Sequence, residues 1–163
     1  MTSYRLIIGI IAGIILSFFT VFFFNMMVII DQINLYIDDD KLFRIVSLLV
    51  GANFDFDMIS FFTGTPTVLG FFAPELLAWI FMGYITGTIA KGLKRGVIAS
   101  ALVVIIVLLI WILLNIASGQ DLMSLFQGTQ LTETLGGILS AFIGVLIGGS
   151  VGGLVSGPFE EMY

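Results

Sequence analysis

The chain has 163 residues, of which 59% are hydrophobic and 10% charged, with a formal net charge of −5. Soluble domains use about 45–50% apolar residues, so a soluble fold of this length is excluded, and the negative balance gives no basis for a nucleic-acid partner. The absence of cysteine and histidine excludes disulfides, thiolate chemistry, haem ligation and histidine metal sites.

A transmembrane helix needs roughly 20 mostly apolar residues. Four stretches qualify, over residues 6–30, 69–90, 97–117 and 135–155. The expected fold is an all-α integral membrane protein: a single membrane domain over 1–163, built as a four-transmembrane-helix bundle with Gly-rich packing. The first stretch follows Arg5, as a signal peptide would. Its apolar run is longer than the roughly 7–15 residues of a signal peptide and lacks a small-residue cleavage site, so a retained helix is expected. Within it Gly9, Gly13 and Ser17 recur every four residues, the spacing that lets membrane helices approach closely, and Phe22 and Phe23 belong to a bulky far half.

The connection over 31–68 is far longer than the roughly 2–8 residues usual between bundle helices. Within it, 41–50 reads KLFRIVSLLV. Polar Lys41, Arg44 and Ser47 fall at i, i+3 and i+6, which predicts an amphipathic helix that either lies in the membrane interface or closes over the bundle. Asp38, Asp39 and Asp40 supply its first-turn acids, and Gly51 suits its end. Asn53, Asp55 and Asp57 then alternate with Phe54 and Phe56, like the opening of a calcium loop. The pattern fails further on, where Met58 replaces the turn glycine and Gly64 the bidentate glutamate. A solvated, partly extended segment is therefore expected, with calcium held by Asp38, Asp40, Asp55 and Asp57 as the weaker alternative. Residues 59–72, with Phe61 and Phe62, are apolar but interrupted by Gly64, Pro66 and Gly70, as in a re-entrant or interfacial stretch.

In the second stretch Pro74 suits a first helical turn. Glu75 follows, sixteen residues before Lys91, or about 24 Å at 1.5 Å per residue. That spacing puts Glu75 near the opposite headgroups, where it complements the helix dipole. Gly83 and Gly87 repeat the small-residue spacing. Lys91, Lys94 and Arg95 crowd the next turn, and the third stretch runs from Gly96, Ala99, Ser100 and Ala101 into bulky residues. The fourth carries two glycine series: Gly144, Gly148 and Gly152 on one face, Gly149, Gly153 and Gly157 on a roughly opposite one. One face is expected to pack within the bundle and the other to contact something beyond it.

Basic residues lie before the first stretch and between the second and third, which by the positive-inside rule puts both termini in the cytoplasm of a multi-pass cell-membrane protein. Glycines then gather at the inner end and phenylalanines at the outer one, where Phe22, Phe23, Phe61, Phe62 and Glu75 form the candidate ligand or partner region. No catalytic constellation and no cofactor are expected. The expected role is a non-catalytic integral membrane subunit acting through helix packing in a homo-oligomer or larger membrane complex, with lipid and other membrane subunits as partners. The alternative is a small transporter or channel for an apolar, lipid-like or small solute.

Overall fold

The computed structural model describes residues 4–34, 42–121, 123 and 127–157. It is all helical, with 85% helix and no strand among these residues. Three helical stretches are long and apolar enough to cross a membrane: Leu42–Thr63, Leu93–Ala117 and Gly128–Val155.

The stretch over 6–30 is not the single helix expected. It divides into α1 (Tyr4–Ser17), α2 (Thr20–Phe24) and α3 (Met26–Asn34). The hydroxyls of Ser17 and Thr20 donate to the carbonyls of Ile14 and Leu16, a turn back, which competes with the regular ladder and bends helices. The second interruption falls at Asn25, with φ −140° and ψ 48°.

A helix stands at the expected place, α4 (Leu42–Gly51), but its polar Ser47 is turned inward while the apolar Leu42 and Phe43 are exposed, and it runs into a 3-10 turn, Ala52–Phe54. The chain is irregular through 55–57 and then forms α5 (Met58–Thr63), so Leu42–Thr63 is a bent pair rather than one rod. The stretch over 69–90 also breaks, into α6 (Val68–Phe71) and α7 (Pro74–Ala90). Pro74 opens α7, and its ring forces Ala73 into the extended region at φ −58°, ψ 146°. Lys91 and Gly92 then both take positive φ, 55° and 86°. This reverses the chain within two residues into α8 (Leu93–Ala117), and α9 (Gly128–Val155) follows.

Glycine contacts fix how these helices run. Gly144 faces Leu76 and Trp79, Gly148 faces Ile80 and Tyr84, and Gly152 faces Tyr84 and Thr88. The numbers rise together, so α7 and α9 are parallel. Gly149 faces Ser100 and Gly96, whereas Gly153 faces Gly92 and Leu93, so α8 and α9 are antiparallel. On α1, Gly9 faces Thr86 and Ala90, and Gly13 meets Thr86 and Val103, which sets α1 against α7 in the opposite direction.

Both glycine faces of α9 are therefore occupied inside the chain, which corrects the expectation of one face left for an outside contact. The reason lies in the α7–α8 hairpin. Gly83, Gly87 and Gly96 leave its own two helices so close that a third backbone enters between them. A methyl group at Gly87 would sit 2.5 Å from the Gly149 carbonyl oxygen, and one at Gly96 would sit 2.6 Å from the same atom.

In an unconstrained helix interior, glycine to alanine is favourable by about 1 kcal/mol. At Gly148 the added methyl meets backbone, the Ile80 carbonyl and the Tyr84 nitrogen at 2.8 Å, and overpacking of that kind costs about 1–3 kcal/mol. Gly148→Ala is expected to lower the unfolding midpoint in detergent titration. A neutral or raised midpoint would show that the contact is absent.

Candidate functional site

The Glu75 end of the molecule is organised by two residues of the 3-10 turn. Asn53 is fully buried, and its side-chain amide donates to the carbonyls of Ser17 at 2.8 Å, Val50 at 3.0 Å and Leu49 at 3.3 Å. Ser17 ends α1, so its carbonyl has lost its helical partner, and Asn53 replaces it. Asn53's own carbonyl accepts the Trp79 indole N–H at 2.6 Å. One residue of the connection thus ties the end of α1 to the middle of α7. Phe54 then enters the core, with ring centroids 5.4 Å from Trp111 and 5.2 Å from Trp79, and its backbone lies against Gly137 of α9.

A second polar bridge holds α4 on α8. The Ser47 hydroxyl donates to Asn115 Oδ1 at 3.0 Å, both side chains being buried, and Asn115 donates in turn to the Trp111 carbonyl at 3.0 Å. Gly51 allows the approach, since a methyl group there would run into the Trp111 indole. Helix α4 is thus docked on the helices through Ser47, Val50 and Gly51.

Two hollows open beside this plug, and Trp111 and Asp55 line both. One, about 260 Å³, is bounded by Gln32, Ser47, Gly51, Asn115 and Gln120. The other, about 460 Å³, is bounded by Phe54, Asp57, Ser60, Gln130, Glu133 and Thr134. Asp55 lies within Coulomb reach of Glu75 and Glu133, so three elements far apart in sequence bring like charges to one mouth. With the fourth span expected to begin at 135, Glu133 falls in the preceding loop; α9 instead begins at Gly128 and places it, exposed, on the helix.

Of the calcium candidates, Asp57 is committed to another task. Its Oδ1 accepts the N–H groups of Ile59 at 2.9 Å and Ser60 at 3.1 Å, and its Oδ2 accepts the Ser60 hydroxyl, which makes it the N-cap of α5. Asp38 and Asp40 lie outside the described residues, among which no group of three such side chains is arranged to hold a metal ion. The candidate aromatic region falls into two parts. Phe22 packs beside Val21 and Ile29 and makes an edge contact at 6.1 Å with the exposed Phe23. Phe61 and Phe62 join Phe56, Phe71 and Phe72 around α5 and α6. No ring contact among the described residues joins the two sets.

Comparison with known proteins leaves the geometry to stand alone. No protein family, no curated protein and no solved structure matches this chain. The residues that sequence reasoning passed over are Asn53 as a structural hub, Trp111 and Glu133. For Asn53 a signal existed: a lone amide between an apolar helix and a phenylalanine is an expensive residue to bury without partners.

Asn53→Ala would strand the Ser17 carbonyl in a dry interior. An unsatisfied buried acceptor costs about 1–3 kcal/mol; the variant also removes the buried Asn53 Oδ1, which has no partner of its own, so a drop smaller than that is expected in the free energy of unfolding followed by tryptophan fluorescence. An unchanged midpoint would remove Asn53 as the tie between α1 and α7.

Proposed function

We propose that the chain is a non-catalytic integral membrane subunit with four spans, contributed by α1–α3, α7, α8 and α9, and with both termini on the cytoplasmic side of the cell membrane. The antiparallel contact of α1 with α7 supports this topology. A chain that leaves α1 at one face and enters α7 from the same face makes an even number of crossings between them. A single crossing by Leu42–Thr63, although apolar enough, is inconsistent with that parity. The bent α4–α5 pair instead folds into the outer end. Lys91, Lys94 and Arg95 then lie at the inner face, and Asp55, Glu75 and Glu133 at the outer mouth.

With this topology Asp55 is outside the spans. Although the residue as a whole is exposed, its carboxyl is crowded: burial first, then the charges of Glu75 and Glu133, push it up to about 6. The mouth therefore loses a negative charge in mildly acidic surroundings.

One observation carries the choice of a subunit over a conduit. The helices close on a filled core: Trp79, Met82, Val104, Val107 and Val145 are fully buried, and Phe54 with Trp79 and Trp111 seals the outer end. A rigid packed unit suits a part in a homo-oligomer or larger membrane complex. Its contacts there run through its lipid-facing flanks and outer mouth, because the glycine stripes are already used. The transporter alternative draws on the two hollows beside Trp111, which would lead inward only if Phe54 moved.

Native mass spectrometry of particles extracted from membranes without detergent exchange is expected to give a multiple of 17.8 kDa or a stoichiometric complex with a second membrane chain. A lone copy, together with solute flux in liposomes of pure protein that rises in Phe54→Ala, would overturn the subunit reading in favour of the transporter.

A further inference from the structure

Four of the six basic residues, Arg5, Lys91, Lys94 and Arg95, are gathered at one end of the molecule by the glycine contacts. Gly9 lies against Ala90, so close that an added methyl group would sit 3.5 Å from the Ala90 nitrogen. Because α1 and α7 run in opposite directions, Arg5, one turn before Gly9, is carried to the level of the Lys91 reversal. Lys94 and Arg95 open α8 beyond that reversal, and Gly153 of α9 packs against Gly92 and Leu93. The described carboxylates lie at the opposite end. Glu75 opens α7, Asp121 follows α8, and Glu133 stands in the first turns of α9. Asp55 and Asp57 flank the mouth, and Asp31 belongs to α3, whose Ile29 packs with Ala52 and Ala78.

Topology alone does not call for this placement. The positive-inside rule is met by basic residues anywhere in a short loop, whereas these stand where the backbone disfavours them. Lys91 has φ 55°, the only positive φ outside glycine among the described residues, and glycine would be the less strained choice there. Lys94 and Arg95 occupy the first turn of α8, which holds no acidic residue and no side-chain cap. Both cations therefore oppose the positive end of the helix dipole. An anion beside the turn offsets that repulsion.

The neighbouring apolar surface indicates which kind of anion. Leu93 is 46% exposed, Leu154 63% and Val155 67%, all beside the basic turn, and Arg5 lies over the exposed Tyr4 ring at 5.9 Å. Helices α8 and α9 are long and apolar enough to cross a membrane, so this end meets a membrane surface whichever way the chain faces. A phospholipid presents phosphate and hydrocarbon side by side; a free anion presents only charge. A zwitterionic headgroup brings a cation of its own, which the lysines repel.

We propose that Arg5, Lys91 and Lys94 form a docking surface for the headgroup of an anionic phospholipid, in the leaflet where α8 begins and α9 ends. The surface requires α8 and α9 to span the bilayer. It is independent of whether the chain serves as a subunit or a transporter.

Native mass spectrometry of the full chain, released from detergent holding equal amounts of phosphatidylglycerol and phosphatidylcholine, reads the preference directly. Phosphatidylglycerol adducts are expected to predominate. Lys94→Gln, at an exposed position, and Arg5→Gln are each expected to lower that preference about fivefold, the equivalent of about 1 kcal/mol per basic residue near an anionic surface. Lys94→Arg is expected to retain it. Equal retention of the two lipids would overturn the proposal. So would a preference unchanged in the Lys91→Gln, Lys94→Gln double variant, once circular dichroism shows its helix content to match the parent. A preference that emerges only with Glu160→Gln and Glu161→Gln would make the chain's own acidic residues the occupant, and its loss to inorganic phosphate at constant ionic strength would make the occupant a free anion. Either result contradicts a lipid site.

Discussion

The Gly149 carbonyl lies where the backbones of α7, α8 and α9 converge. An added methyl on either Gly87 or Gly96 would fall within 2.6 Å of it. Glycine at such positions costs a helix in water about 1 kcal/mol each. In lipid, where burial of apolar side chains gives no drive for association, close backbone contact supplies the packing energy instead. Everything else in the arrangement is built on this wedged position of α9. It sets α7 parallel and α8 antiparallel to α9, makes the Lys91–Gly92 reversal necessary, and leaves α1 to close the remaining side through Gly9 and Gly13.

Helices that converge this tightly at one end need bulk at the other. The chain supplies it from the long connection rather than from the helices themselves. Phe54 fills the gap between Trp79 and Trp111, while Asn53 joins the broken end of α1 to α7. The break in the first stretch and the insertion of the connection are thus one feature, since the carbonyl released at Ser17 is the acceptor that anchors Asn53. The same insertion creates the mouth. By carrying Asp55 between Glu75 and Glu133, it sets three carboxylates beside the two hollows and places the polar, open part of the molecule opposite its sealed glycine end.

Much of this was legible in sequence where periodicity and composition speak directly. The stripes Gly144–Gly148–Gly152 and Gly149–Gly153 mark close-contact faces, Pro74 marks the start of α7, and 41–50 marks the place of α4, whose polar Ser47 nonetheless turns inward while Leu42 and Phe43 turn outward. What those faces touch was not legible, because spacing reports that a backbone is bare and not which backbone meets it. One of the two faces was accordingly expected to lie against something outside the molecule. The division of 6–30 at Ser17 and Asn25 escaped for a different reason. Hydropathy is blind to a hydroxyl that bonds back into its own helix, and the compensating amide lies thirty-six residues away. Glu133 was missed because α9 begins before its apolar run does. The capping role of Asp57 at α5 was not anticipated, because the alternation with Phe54 and Phe56 pointed to a solvated, partly extended segment.

The central claim is that both glycine faces of α9 are used within one chain. Magic-angle-spinning NMR of protein labelled at glycine and tyrosine tests it most directly in bilayers, with labelled molecules diluted into an excess of unlabelled ones. The account predicts that cross-peaks joining Gly87 and Gly96 to Gly149 and Gly153 persist on dilution, as contacts inside a single molecule must. Loss of those cross-peaks on dilution, with the Gly148–Tyr84 contact retained, would place the second face of α9 against another copy and contradict it.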